Sequence, residues 1–244
     1  MSDVRGAVVL VTGSSSGIGE ATARAFAARG ATVVVNSRSS VEAGERVARE
    51  LEGASYIRAD VSEEGDAARL VATTLERHGR LDVLVNNAGT TSVIPHHDLP
   101  GATLEVWRRI FEVNVFGTWA VTVAAMDALR ASRGAVVNVS SVAGLRPTGS
   151  SIPYAASKAA LNHLTVLLAK VVGPEVRVNA VAPGLVDTPW TKHWDEIRAL
   201  VGALAPLKRS GQPDDVAEVV VALATAAYVT GQVVAVDGGL TLVS

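Results

Sequence analysis

Short valine-rich runs separated by longer alanine-rich segments recur along this chain, and few architectures accept that rhythm. The runs fall at 7–12, 32–36, 55–59, 82–86, 135–140, 176–182 and 232–236. Most are apolar throughout instead of alternating, as strands buried between two helical layers must be. The segments between them, at 18–29, 41–51, 64–78, 103–130, 154–171 and 213–224, are long enough for crossover helices. Repeated β-α-β order implies right-handed crossovers and a parallel sheet. The pattern predicts one doubly wound, Rossmann-type domain over residues 1–244, with seven parallel strands and helices on both faces. Gly30 and Gly79 stand where helix C-caps belong. Ser62 is placed to cap a helix before Glu63, and Pro213 with Asp214 and Asp215 makes a strong helix start.

Composition narrows the chemistry. Of 244 residues, 48% are hydrophobic and 19% charged, which suits a large core and excludes global disorder. A net charge of −2 offers no footprint for nucleic acid or an anionic membrane. The absence of cysteine excludes a disulfide scaffold, a thiolate zinc site and a cysteine nucleophile. No targeting segment precedes the first strand, and the most apolar stretch, 219–229, is broken by Thr225 and reads as a buried helix. These features predict a soluble, cytoplasmic protein with no nucleic-acid or membrane partner.

Ligands of such sheets bind beyond the carboxyl ends of the strands. The first strand runs into Gly13, Gly17 and Gly19, at the start of a helix. Glycines there allow a tight turn and close approach of backbone to a pyrophosphate. The spacing is T-G-x-x-x-G-x-G, and no Lys-Ser/Thr follows it, so it is not a P-loop. Farther on, Tyr154 and Lys158 stand four apart after Pro153, on one face of a helix start. A free tyrosine titrates near ~10, and a neighbouring ammonium would lower that value. Small residues at 155, 156, 159 and 160 leave room for a ligand. At the end of the fifth strand Ser140 and Ser141 point opposite ways, so one of them serves the same space.

Four motifs in this order, Thr12-Gly13-Ser14-Ser15-Ser16-Gly17-Ile18-Gly19, Asn86-Asn87-Ala88-Gly89, Tyr154-x-x-x-Lys158 and Pro183-Gly184 with Thr188, resemble those of the short-chain dehydrogenase/reductase family, over essentially the whole chain. The resemblance implies an NAD(P)-dependent oxidoreductase acting on a carbonyl or alcohol. Cofactor contacts would come from Gly13, Ser15, Ser16, Gly17, Ile18 and Gly19, and from Asn87, Ala88 and Gly89. Asp60 and Val61 would border adenine. Tyr154, Lys158, Pro183, Gly184, Val186 and Thr188 would lie toward the nicotinamide. Where an acidic residue would favour NAD, the second strand ends in Asn36, Ser37 and Arg38, which suit a 2′-phosphate and hence NADP(H). A serine thirteen residues before the tyrosine selects Ser141, which would orient the carbonyl. Lys158 would also bind the nicotinamide ribose, and Asn114 would hold a water that links Lys158 to solvent.

The resemblance also implies a short substrate lid near 185–210, in which Trp190, His193 and Trp194 could line a mostly apolar pocket with 93–99 and 143–149. A homotetramer is expected, with the 103–130 and 154–171 helices and the C-terminal region at its interfaces. The five histidines lack metal-ligand spacing, so no metal site is expected. The reading is an NADP(H)-dependent reductase of a ketone or 3-oxoacyl group, running in either direction. An acyl-carrier-protein ketoacyl reductase, with Arg130, Arg133 and Lys170 as a dock, is one rival. An NAD-dependent sugar, steroid or alcohol dehydrogenase is another, and a non-catalytic dinucleotide sensor is the rival from a different class.

Overall fold

Seven parallel strands in the order β3-β2-β1-β4-β5-β6-β7 form one sheet in the computed structural model, which describes residues 3–243. The strands are β1 (Val8–Val11), β2 (Thr32–Ser37), β3 (Ser55–Arg58), β4 (Val83–Asn86), β5 (Ala135–Val139), β6 (Arg177–Pro183) and β7 (Val233–Val236). All seven expected runs are strands, with no end shifted by more than one residue. Each strand of the sheet pairs in parallel, for example Val9 with Val33 on one side and with Val83 on the other.

Alternate side chains of each strand feed two separate cores. Val9, Val11, Val33 and Val35 pack with Phe26 of α1 (Gly17–Ala27) and Val220 of α8 (Pro213–Thr225). Val8, Leu10, Val34 and Leu84 pack with Leu70 of α3 (Glu64–His78), Leu129 of α5 (Thr118–Ser132) and Leu168 of α6 (Ile152–Val172). This two-faced burial explains why the strand sequences do not alternate. The remaining helices are α2 (Val41–Glu50), α4 (Leu104–Phe111) and α7 (Asp195–Leu204). Among the described residues, no helix is long and apolar enough to cross a membrane.

Two local expectations change. The 103–130 segment is not one regular helix: a π-helical stretch, Glu112–Gly117, separates α4 from α5 and carries Asn114. Such widened turns often mark functional sites, and this one is followed by its own buried bonds from Thr118 and Thr122 back to the helix backbone. Ser62 does not cap α3. Its hydroxyl donates to Asp60 Oδ1 at 2.6 Å instead, and Glu63 takes the cap position. His78, in the last turn of α3, pairs with Ser55 Oγ at 2.8 Å, and burial pushes its imidazole below the ordinary value.

Candidate active site

The strand order reverses between β1 and β4, which opens a crevice at their carboxyl ends. Thr12 and Asn87 tie its two walls together. Thr12 Oγ1 accepts from the backbone N–H groups of Asn87 and Ala88, both at 3.0 Å. The Asn87 amide donates to Thr12 O and Gly13 O, both at 2.9 Å. Gly19 must lack a side chain here, because a Cβ would stand 2.5 Å from both Asn87 Nδ2 and Gly13 O. Gly17 adopts φ +56° at the start of α1, whose N-cap residue Ser16 makes no side-chain capping bond. The first N–H groups of α1 are therefore left to a ligand, and that end of the helix favours an anion.

A cavity of about 290 Å³ lies along this helix start. Gly13, Ser15, Ser16, Gly17, Ile18 and Gly19 line it from one side, and Asn87, Ala88 and Gly89 from the other. Asn36, Ser37, Arg38, Asp60 and Val61 close one end, and Thr188 and Trp190 the opposite one. Two of the expected phosphate contacts are engaged with protein in this structure. Asn36 is fully buried, its carbonyl accepts from Gly13 N at 3.2 Å, and its amide donates to Ile57 O and Ala59 O at 3.1 and 3.2 Å. That side chain builds the loop and has no hydrogen left for a phosphate. Ser37 Oγ is held by Ser40 O at 3.1 Å and Tyr56 Oη at 2.9 Å. Arg38 remains, exposed, with Nη1 3.6 Å from Asp60 Oδ2. Asn36→Ala is expected to lower unfolding stability by about 2 kcal/mol, read by urea titration, since it orphans a buried N–H and two carbonyls.

Beyond Ile18 and Thr188, which face both spaces, a second cavity of about 550 Å³ opens. Ser141 and Tyr154 lie in its wall, and the hydrogen bonding of Ser141 bears on the Tyr154 phenol. Ser141 Oγ also accepts from Ala143 N at 3.1 Å, which fixes it at the end of β5. Ser140, the alternative, is buried and donates to Lys158 O at 3.2 Å. Tyr154 sits in the first turn of α6, started by Pro153 and capped by Ser151, with the Trp190 ring edge-on at 6.4 Å. Gly184 and Val186 also line the second cavity, whereas Pro183, Lys158 and Asn114 line neither. Pro183 is buried at the end of β6.

Lys158 lies below the tyrosine. Its Nζ is 5.7 Å from the centre of the Tyr154 ring and donates to Val139 O at 2.9 Å. Burial brings its value down from 10.5 to about 8. The expected net lowering of the phenol is corrected: burial is the largest influence and raises Tyr154 above its ordinary 10.0, outweighing the groups that favour the phenolate, among them the Ser141 hydroxyl. Asn114 Oδ1 accepts from Thr90 N at 2.8 Å, and its amide donates to Thr90 O and Ser157 Oγ, both at 3.0 Å. A methyl group on Gly89 would stand 3.4 Å from Asn114 Oδ1 and 3.7 Å from Lys158 Nζ, so both atoms border one small space.

The second cavity takes its walls from 93–96, from Ala143, Thr148 and Gly149, and from the segment after β6. Trp194 is part of it and His193 is not. Within the lid expected to build the pocket, Ile197, Leu200, Val201 and Leu204 of α7 form the lining, whereas Leu240 and Thr241 near the C-terminus were outside the expectation. The i, i+3, i+4, i+7 spacing of the four α7 residues was the available signal. Among the described residues, no group of three or more His, Asp or Glu side chains could hold a metal ion.

Comparison with known proteins agrees with this geometry. The family model described as enoyl-(acyl carrier protein) reductase matches residues 13–241. The "Granaticin polyketide synthase putative ketoacyl reductase 2" of Streptomyces violaceoruber is 60% identical over 239 residues, covering 96% of each chain. The 3-oxoacyl-(acyl-carrier-protein) reductase FabG of Thermotoga maritima is 39% identical over 250 residues, covering 98% of this chain and 99% of its own. A solved structure of a "putative short-chain dehydrogenase/reductase" from Burkholderia xenovorans has a TM-score of 0.92 at 40% identity, covering 97% of this chain and 98% of that one. By sheet order, crevice and likeness alike, this chain belongs to the short-chain dehydrogenase/reductase family of oxidoreductases.

Proposed function

We propose that this protein is an NADPH-dependent reductase of a ketone or 3-oxoacyl carbonyl. One observation carries the reading. Tyr154 and Ser141 stand in the wall of an apolar cavity that meets the dinucleotide crevice at Ile18 and Thr188. The names of the ketoacyl reductase relatives support the same substrate type.

The residues present fit the cofactor, because the uncapped start of α1 and the glycine cradle suit its pyrophosphate and Arg38 suits a 2′-phosphate. When bound, NADPH supplies the hydride that the carbonyl carbon receives. Every other task falls to the chain. Ser141 Oγ donates to the carbonyl oxygen and orients it. Tyr154 delivers its phenolic proton to that oxygen as the alcohol forms. Burial keeps this phenol protonated through neutral pH, which suits reduction. Lys158 stabilises the phenolate that is left, and the space it shares with Asn114 beside Gly89 suits a water that returns the proton.

The NADP preference is tested at Arg38. Arg38→Ala is expected to weaken NADPH binding about 10- to 100-fold, the worth of a charge-assisted phosphate contact, and to leave NADH binding within about threefold. Titration of cofactor fluorescence reads both. Equal losses for the two cofactors would assign Arg38 to the loop's structure. A homotetramer is supported by the exposed Phe116, Trp119 and Val123 near the π-helical stretch and by Leu167 and Val171 on α6. Light scattering at micromolar protein should give four times the chain mass.

A further inference from the structure

We infer that the substrate enters the cavity uncharged and largely apolar, so that a 3-oxo acid is accepted only as its ester or thioester and a sugar is not accepted. The inference rests on the carbonyl reductase reading and names the substrate class of that site.

Among the described residues, no Asp, Glu, Lys or Arg lines the 550 Å³ cavity. A substrate carboxylate would therefore find no lysine or arginine to pair with there. The cations of the lid, Lys192, Arg198, Lys208 and Arg209, do not line the cavity, and Arg198 is bonded to Asp187 at 2.7 Å and to Asp195 at 2.6 Å. Three of the polar side chains in the wall are already engaged with protein. Thr191 Oγ1 donates to Val186 O at 2.7 Å, Ser150 Oγ pairs with Thr91 Oγ1 at 2.6 Å, and His96 Nε2 meets Gly149 O at 3.1 Å. Ser141 and Tyr154 can receive one carbonyl, which leaves few partners for the further hydroxyls of a sugar.

The apolar wall itself is only half covered. Ile197, Leu200 and Leu204 lie on one face of α7, line the cavity, and are 47%, 56% and 47% exposed. Val93, across from them on the loop after β4, is 67% exposed. An apolar lining of this extent is costly to leave in water and marks the surface that a ligand covers. Its continuity with Tyr154 and Ser141 makes that ligand the carbonyl substrate.

The test uses matched pairs with NADPH or NADP⁺. In reduction, hydride and one proton add across C=O, and NADPH becomes NADP⁺. Ethyl acetoacetate should exceed acetoacetate in kcat/KM by at least about 100-fold, because a buried unpaired carboxylate is so costly. α-Tetralone should exceed ethyl acetoacetate by at least about tenfold, since each added buried methylene counts in an apolar pocket. In oxidation, 1,2,3,4-tetrahydro-1-naphthol should exceed L-fucose by at least about 100-fold. Leu200→Lys, at a half-exposed position, should raise kcat/KM for acetoacetate and lower it for α-tetralone while NADPH binding stays unchanged. Acetoacetate equal to its ester, or L-fucose ahead of the naphthol, overturns the inference. Quenching of tryptophan fluorescence, with Trp194 in the wall, gives a readout without turnover. If no ketone is reduced but α-tetralone binds and acetoacetate does not, the reductase reading fails and the apolar class stands. If acetoacetate binds as tightly as α-tetralone, the class fails whatever the turnover.

Discussion

Tyr154→Phe is expected to lower kcat/KM for ketone reduction by at least about a thousand-fold, the scale of a positioned general acid. The change removes one oxygen and keeps the ring, so the edge contact with Trp190 at 6.4 Å remains. The dinucleotide crevice is lined by other residues, so NADPH affinity should stay within about threefold, because binding and proton delivery are separate tasks of separate groups. Thermal stability should barely move. Single-turnover measurement of NADPH absorbance reads the chemistry, and fluorescence titration reads the binding. A variant with wild-type turnover would remove Tyr154 as the acid. A wild type without turnover on any carbonyl would instead favour a dinucleotide-sensing protein. Ser141→Ala should give a smaller loss in kcat, since it orients the oxygen and supplies no proton.

The strands were the most legible part of this chain, because burial on both faces gives most of them short continuous apolar runs at regular spacing. The motif residues were legible because each lies where a strand ends and a helix begins. What escaped was the work of side chains across long separations. Asn36 reads as a polar residue free for a phosphate, yet it is consumed by three backbone groups from β1's turn and from the end of β3 and the residue beyond it. No local pattern announces that. Asn114 reads as a costly residue in a regular helix, but the helix widens around it and its amide is used by Thr90 and Ser157. Leu240 and Thr241 reach the second cavity only because β7 lies at the sheet edge beside β6 and returns the chain to the lid. The direction of the Tyr154 shift was missed for a related reason: spacing reveals that an ammonium is near, but not that burial of the phenol outweighs it.

Lys158→Met is expected to make the protein more stable while disabling it. Lys158 is 4% exposed, and among the described residues its ammonium donates only to Val139 O. Burial brings its value to about 8, against 10.5 for the ordinary side chain. At pH 7, below both values, the lysine is charged folded and unfolded, so the whole cost of burying the charge weighs on the fold, about 3 kcal/mol. Between pH 8 and 10.5 the unfolded chain holds the proton more than the folded one does, so wild-type stability recovers as pH rises through that window. Methionine has similar length and no charge. It forfeits the charge-assisted bond to Val139 O, worth about 2 kcal/mol, which leaves a net gain of about 1 kcal/mol at pH 7. For a chain of this size that corresponds to a Tm increase of roughly 2–4 °C. The advantage over wild type should shrink toward pH 10, a difference that cancels the other titrating groups shared by both proteins. Activity should fall at least about a hundred-fold, because the phenolate loses its neighbouring positive charge in a buried setting that already disfavours it. Wild-type reduction should decline above pH 8 as the same ammonium discharges, and the variant should show no such limb. A variant less stable than wild type at pH 7, or an offset independent of pH, would mean that the cleft solvates this ammonium well and that its burial is not the cost of catalysis.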